Sequence, residues 1–170
     1  MKTAIIIGAS TGIGRATALA LSGKYNSISI TSFKHKEELL SLRDELMAKG
    51  CICYCETGDA GDMEFMEKFI QNTIDHLGSD IDLLINNAGI SYVGLINDMT
   101  AQDFDRTMKS NVYSVFNSCR LVVPHMIQHH KGHIINISSV WGNVGASCEV
   151  AYSASKGAVN SFSKALGLSL

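Results

Sequence analysis

Thr3-Ala4-Ile5-Ile6-Ile7-Gly8-Ala9-Ser10-Thr11-Gly12-Ile13-Gly14 is the stretch that decides the fold. A short apolar run meets a glycine-rich turn, and a helical pattern continues from Arg15 to about Ser22. Strand, glycine turn and helix in that order make a phosphate-binding corner. Glycines at 8, 12 and 14 let the backbone come close to a pyrophosphate and let the helix pack on the strand. The helix N-terminus offers free N–H groups to the anion. The stretch is also compatible with a plain tight turn. Its spacing, Gly-x3-Gly-x-Gly, differs from the Gly-x-Gly-x2-Gly of the usual dinucleotide fingerprint.

Outward from this corner the same alternation continues. Asn26 to Ser32 reads as a strand, and Lys36 to Lys49 as a helix with Leu39, Leu42 and Leu46 on one face, ended by Gly50. Cys51 to Glu56 is a third strand. Asp62 caps a helix over about Met63 to His76, carrying Phe65, Met66, Phe69 and Ile70. Ile81 to Asn86 is a continuous apolar strand, as suits a sheet covered on both faces. Thr100-Ala101-Gln102-Asp103 resembles a capping arrangement before a long helix to about Gln128, in which Pro124 is expected to kink or end it. His133 to Ser138 is a fifth strand, Trp141 to Gly145 a glycine-marked loop, and Tyr152 onward a helix. Strands alternating with helices predict a parallel sheet with right-handed crossovers. The fold class is α/β: a three-layer, doubly wound sheet of Rossmann type, one domain over residues 1–170.

Composition narrows the function. The chain has 170 residues, 46% apolar and 18% charged, and a formal net charge of −2 without any long block of one sign. Nucleic acid and anionic membranes are not expected partners. The N-terminus shows no signal-peptide pattern and no stretch is long enough to span a bilayer, so a cytoplasmic protein is expected. Five cysteines, an odd number, argue against a disulfide framework. Cys51, Cys53 and Cys55 alternate and share one strand face, where a row of thiols cannot surround an ion tetrahedrally. Buried thiols are the reading, and no metal site is expected. Cys148, in a polar loop, is the one cysteine to test for reactivity.

Near the C-terminal end, Ser139, Tyr152 and Lys156 form the chemical candidate. Tyr152 and Lys156 are four residues apart, one helical turn, and share a face. A phenol beside an ammonium is a proton donor whose anion is stabilised by its neighbour. A nearby hydroxyl can orient a substrate oxygen. The same spacing also fits an ordinary amphipathic helix surface.

Taken together, Gly8-x3-Gly12-Ile13-Gly14, Asn86-Asn87-Ala88-Gly89, Asn111, Ser139 and Tyr152-x3-Lys156 strongly resemble the short-chain dehydrogenase/reductase family. Order and spacing agree over the whole chain. The match is nearest to the one-domain branch that includes 3-oxoacyl-acyl-carrier-protein reductases. The resemblance implies catalytic roles for Asn111, Ser139, Tyr152 and Lys156. Tyr152 is the general acid for reduction, and Lys156 favours the phenolate and binds the nicotinamide ribose. Ser139 holds the substrate carbonyl oxygen, and Asn111 holds a water that connects Lys156 to solvent; the resemblance also places a local kink at Asn111, in mid-helix, where asparagine is a poor helix former. Thirteen residues from Ser139 to Tyr152 favour Ser139 over Ser138.

The resemblance also implies a cofactor set of Gly8, Ser10, Thr11, Gly12, Ile13, Gly14, Ser32, Lys34, Asp59, Asn86, Ala88 and Gly89, with Tyr152 and Lys156. Asn86, Ala88 and Gly89 match the adenosine side and Asp59 the adenine contact. NAD enzymes place a carboxylate after the second strand. Here Thr31-Ser32-Phe33-Lys34-His35-Lys36 has no acid until Glu37, so NADP(H) is expected over NAD(H). Ile7 stands where the family has threonine, which is expected to loosen the turn. The expected substrate is a carbonyl on a small molecule or on acyl carrier protein, foremost a 3-oxoacyl thioester.

Trp141-Gly142 and Gly145-Ala146-Ser147-Cys148-Glu149 resemble a subgroup that reduces a ketone on modified elongation factor P. Sugar or steroid alcohol dehydrogenation is a further possibility, and a non-catalytic nucleotide-binding domain the alternative of another class. Family members continue into a sixth strand, a helical flap and a seventh strand, whereas this sequence ends at Gly167-Leu168-Ser169-Leu170. A shortened chain with an exposed fifth strand is expected. The homo-oligomer usual for the family would lose contacts from its last helix.

Overall fold

The computed structural model describes residues 2–78 and 80–170. Five parallel strands stand in the order β3-β2-β1-β4-β5. They are β1 (Thr3–Ile7), β2 (Ser27–Ser32), β3 (Ile52–Thr57), β4 (Ile81–Asn86) and β5 (His133–Asn136). The chain winds outward from β1 to β3, then returns to the other side of β1 for β4. The switch between β1 and β4 opens a crevice at the carboxyl ends of the strands.

Alternation along β1 supplies both cores. Ile5 and Ile7 point to one face, and Ala4 and Ile6 to the other. The first face packs on α3 (Met63–Leu77), α5 (Ser114–Gln128) and α7 (Val150–Ser169) through Met66, Phe69, Ile70, Val115, Val122 and Val159. The second packs on α1 (Gly12–Leu21) and α2 (Lys36–Ala48) through Ala18, Leu39, Leu42 and Leu46. The expected three layers are therefore present. Cys51, Cys53 and Cys55 all join the second core, and burial pushes the Cys53 thiol up to about 12. Among the described residues no three His, Cys, Asp or Glu side chains gather as a metal would need.

The capping signals act as read. Asp62 Oδ1 accepts from the Glu64 and Phe65 N–H groups at 2.9 and 3.2 Å. Thr100 and Asp103 form the reciprocal box that opens α4 (Ala101–Met108).

Three expectations are corrected. The long helix is interrupted at Lys109–Tyr113, a π-helical turn between α4 and α5 that contains Asn111, where the resemblance places a kink, and not at Pro124. Pro124 lies inside α5, and its missing N–H falls at the carbonyl of exposed Arg120, where solvent can serve instead. Trp141 to Val144 is a short helix, α6, rather than loop. It packs so closely on α7 that a Cβ on Gly142 would stand 2.6 Å from the Lys156 carbonyl carbon. The last helix starts at Val150, two residues before Tyr152. Smaller differences affect the ends: α1 begins at Gly12, and β5 ends at Asn136.

Asp62→Ala is expected to lower the unfolding free energy by about 1 kcal/mol, because two amides lose their acceptor. Urea unfolding of the two forms measures this, and equal midpoints would show that the cap contributes nothing.

Candidate active site

The glycine corner is shaped by close approach. Gly8 has φ +82°, and a Cβ there would lie 2.6 Å from the Ala88 backbone. A Cβ on Gly14 would overlap the Gly8 carbonyl. These contacts bring the ends of β1 and β4 together. Asn87 completes the joint: its N–H donates to the Ile7 carbonyl at 2.9 Å, and its Nδ2 to the Gly8 carbonyl at 2.7 Å. Ile7 itself is fully buried in the core, so the turn is tied from Asn87 rather than by the side chain at position 7. Gly12, at φ +55°, has no neighbour near its Cβ position. Thr11 makes no side-chain cap, which leaves the first N–H groups of α1 open to an anion.

Between these elements runs a cleft of about 560 Å³. Gly8, Ser10, Thr11, Ser32, Lys34, Asp59, Ala88 and Gly89 line it. Ser10 and Ser32, both buried, share a hydrogen bond of 2.8 Å. Lys34 is exposed, with its ammonium 5.3 Å from the centroid of the Phe33 ring. Asp59 Oδ1 accepts from the Gly61 N–H at 2.9 Å, and Oδ2 pairs with Lys109 Nζ at 3.0 Å. Gly12, Ile13 and Gly14 do not line the cleft: Gly12 and Ile13 are exposed, and Gly14 is buried against the Gly8 carbonyl.

Asn86 is not part of this lining. Its side chain is buried behind the strand end, where Oδ1 accepts from Ser118 at 2.6 Å and Nδ2 donates to Asn136 at 2.8 Å. Asn87 lines the cleft in its place, together with Phe33, Arg106 and Lys109, none of which the sequence reading selected. The Asn86-Asn87 doublet was the available signal. At the end of a strand covered on both faces, no alternation shows which of the two turns outward.

The second cluster adjoins the cleft floor at Gly89. A Cβ there would meet Asn111 Oδ1 at 3.3 Å and Lys156 Nζ at 3.5 Å. Lys156 is buried and donates to the Ile137 carbonyl at 2.8 Å. Burial pulls its ammonium below the usual lysine range. Its Nζ lies 5.7 Å from the centroid of the half-buried Tyr152 ring.

Asn111 sits in the π-helical turn and is fully buried. Nδ2 donates to the Ile90 carbonyl at 2.8 Å and to Ser155 Oγ at 2.9 Å, and Oδ1 accepts from the Ile90 N–H at 2.7 Å. Both amide protons are spent on bracing. A water would find only a lone pair on Oδ1 and the main-chain carbonyl.

The two candidate serines differ in what they hold. Ser138 Oγ donates to the Lys156 carbonyl at 3.2 Å. Ser139 Oγ accepts from the Trp141 N–H at 3.2 Å and has no protein acceptor among the described residues. Its proton is therefore not committed to a protein acceptor among the described residues. Asn111, Ser139, Tyr152 and Lys156 do not line the cleft itself; Gly89, which does, is where Asn111 and Lys156 come up to it.

A family model described as short chain dehydrogenase matches residues 2–170. The 3-oxoacyl-acyl-carrier-protein reductase FabG of Staphylococcus aureus (strain N315) is 33% identical over 163 residues, covering 96% of this chain and 66% of that protein. General stress protein 39 of Bacillus subtilis is 31% identical over 170 residues, covering 99% of this chain and 58% of that one. This chain therefore spans 66% or less of the length of these relatives. A crystal structure of a short-chain dehydrogenase/reductase from Burkholderia phymatum in complex with NAD superposes with a TM-score of 0.95 at 28% identity, over 99% of this chain and 60% of that one.

The Lys156 environment makes a pH prediction. Its folded pKa lies below the usual 10.5. Between those two values the unfolded chain binds more protons, so this residue's contribution to stability rises with pH across the window. The penalty is full below the folded pKa and gone above about 10.5. The stability advantage of Lys156→Met over the parent should therefore shrink as pH climbs from neutral toward that value. Denaturant unfolding at a series of pH values reads it, and a pH-independent difference would refute the burial penalty.

Proposed function

The chain belongs to the short-chain dehydrogenase family, and from that membership we propose that it reduces a carbonyl to an alcohol with NADP(H). The observation that carries the reading is the meeting of Asn111 and Lys156 over Gly89, which joins an anion-binding cleft to Tyr152. The nicotinamide cofactor, when bound, supplies the hydride. Gly8, Thr11 and the open N–H groups of α1 suit its pyrophosphate, while Ala88, Gly89 and Asp59 line the cleft toward the adenosine half.

Ser139 donates its free hydroxyl proton to the substrate oxygen and orients the carbonyl. Tyr152 donates its phenolic proton to that oxygen as the carbon is reduced. Lys156 stabilises the phenolate left behind, since its charge is held in a water-poor site where an ion pair is strong. Asn111 keeps α7 against the loop after β4 through Ser155 and Ile90. A neutral phenol is already the form that reduction needs.

For the cofactor, Lys34 and Ser32 line the end of the cleft that follows β2, and among the described residues the one carboxylate of the lining is Asp59, after β3. That favours a 2′-phosphate over a bare hydroxyl. Lys36 stands outside the lining and drops from the argument. The Burkholderia relative was solved with NAD, so the shared fold does not choose between the two forms.

The foremost substrate is a 3-oxoacyl thioester on acyl carrier protein, in line with the Staphylococcus relative. A second reading, reduction of a ketone on modified elongation factor P, draws on Glu149. This half-buried carboxylate, three residues before Tyr152, accepts from Ser91 Oγ at 2.6 Å and makes no ion pair among the described residues. An anion so placed suits a substrate with a cationic substituent near its ketone.

Tyr152→Phe is expected to cut turnover by about 10³-fold while leaving cofactor affinity nearly unchanged. NADPH oxidation with a small 3-oxoacyl ester measures the first, and titration with NADPH and with NADH the second. Near-normal turnover in the variant would defeat the assignment of Tyr152, and tighter NADH binding in the parent would defeat the NADP(H) preference.

A further inference from the structure

Behind the active site lies a hydrogen-bond relay that the chemistry above does not use. Ser118 Oγ on α5 donates to Asn86 Oδ1 on β4 at 2.6 Å, and Asn86 Nδ2 donates to Asn136 Oδ1 on β5 at 2.8 Å. Asn136 Nδ2 donates to Ser163 Oγ on α7 at 2.8 Å, and Ser163 Oγ donates to the Val159 carbonyl at 2.7 Å. The donors all run one way, from α5 across two strands to α7. Polar groups inside a protein are costly unless paired, and paired ones fix a unique arrangement.

The relay ends on the face of α7 that carries Lys156. Ser163 is seven residues on, two helical turns, so both side chains face the sheet about 10 Å apart along the axis. Three consecutive residues, the last of β5 and the two that follow it, hold that face. Asn136 donates to Ser163, the Ile137 carbonyl accepts from Lys156 Nζ, and Ser138 donates to the Lys156 carbonyl. The other side-chain ties of α7 to its surroundings lie at or before residue 160: Ala146 to Ser153, Asn111 to Ser155, and Asn160 to Asn143. Ser163 is thus the farthest polar attachment of α7 to another element among the described residues. Phe162 and Leu166 pack on the core over the same stretch through non-directional contacts, so the bond from Asn136 is the directional tie that fixes the tilt of α7 beyond Asn160.

We propose that Asn136 and Ser163 are positioning residues: they fix the tilt of α7 and so hold the Lys156 ammonium at the Ile137 carbonyl, in reach of Tyr152 and the cleft floor. The consequence for turnover rests on the carbonyl-reductase reading. The consequence for Lys156 does not, and the test separates the two.

Lys156 is 4% exposed, so the rate at which a small acylating reagent modifies it, read by peptide mass spectrometry, reports its seating. Exposed Lys34 and Lys164 serve as internal references. Ser163→Ala keeps a good helix former and removes only the hydroxyl. Ser163→Ala and Asn136→Ala are each expected to speed modification of Lys156 by about fivefold or more relative to the references. The double variant should be no faster than the faster single one, because both break one relay. Ser163→Thr, which retains the oxygen, should restore the parent rate. If the parent turns over a carbonyl substrate, kcat should fall by about tenfold in the alanine variants with KM and cofactor affinity little changed.

An unchanged Lys156 rate in Ser163→Ala overturns the proposal, as does acceleration that Ser163→Thr fails to reverse. A parent without carbonyl turnover would count against the reductase reading alone, and the modification rates would still decide the positioning role.

Discussion

The structure is arranged about one buried ammonium. Lys156 is closed off from solvent with one protein acceptor among the described residues, the Ile137 carbonyl at 2.8 Å. Taking such a charge out of water costs several kcal/mol even after relaxation, and a hydrophobic residue would fill the place more cheaply. The surroundings make sense as the means of keeping it there. Gly142 and Gly157 bring α6 against α7 at the level of this residue, with a Gly157 Cβ position only 3.3 Å from the Gly142 carbonyl. Ser138 fastens the backbone of Lys156 itself. A charge held away from water by fixed dipoles stabilises a developing neighbouring anion more strongly than a solvated one does.

The cleft depends on a different constraint, the near contact of two strand ends. Gly8 and Gly14 remove the side chains that would separate β1, β4 and α1, and Asn87 locks the resulting joint. Asn111 carries the constraint onward. Its buried amide bonds both polar groups of Ile90 and the hydroxyl of Ser155. The cleft floor and the helix bearing Tyr152 therefore share one brace. The π-helical turn that holds Asn111 is where a regular helix would be broken for that purpose, in line with the usual placement of such turns.

This division explains what the sequence could tell. Glycines at φ above zero, capping residues and apolar periods are local signals, so the strands, their order of alternation and the helix starts at Asp62 and Thr100 were legible. Tyr152 and Lys156 were legible because one helical turn is a fixed distance. Three features were not, for physical reasons. Asn86 and Asn87 end a strand buried on both faces, where no alternation marks the outward residue. The π-helical turn adds one residue to a helix whose apolar pattern runs through it unbroken, so the kink at Asn111 was readable from the family resemblance and not from any local pattern. The small helix at Trp141–Val144 follows from the packing of Gly142 on Lys156, a contact between residues fourteen apart that no local pattern contains.

Charge gives the sharpest case of a property invisible in composition. The chain as a whole is slightly acidic, at −2, which taken alone suggests no affinity for an anion. The cleft gathers Lys34, Arg106 and Lys109 against the single carboxylate of Asp59. One of these cations, Lys109, is spent on Asp59 at 3.0 Å, with its own pKa raised by that bond. Lys34 and Arg106 remain without an ion pair among the described residues, and to them is added the partial positive end of α1. Low-dielectric walls focus such a field, so the local sign and not the net charge governs what enters. Arg106 and Lys109 come from α4 and the turn after it, more than seventy residues from Lys34 in sequence. Only the switch in strand order between β1 and β4 brings them to face one another, so the electrostatics of the cleft is a consequence of topology.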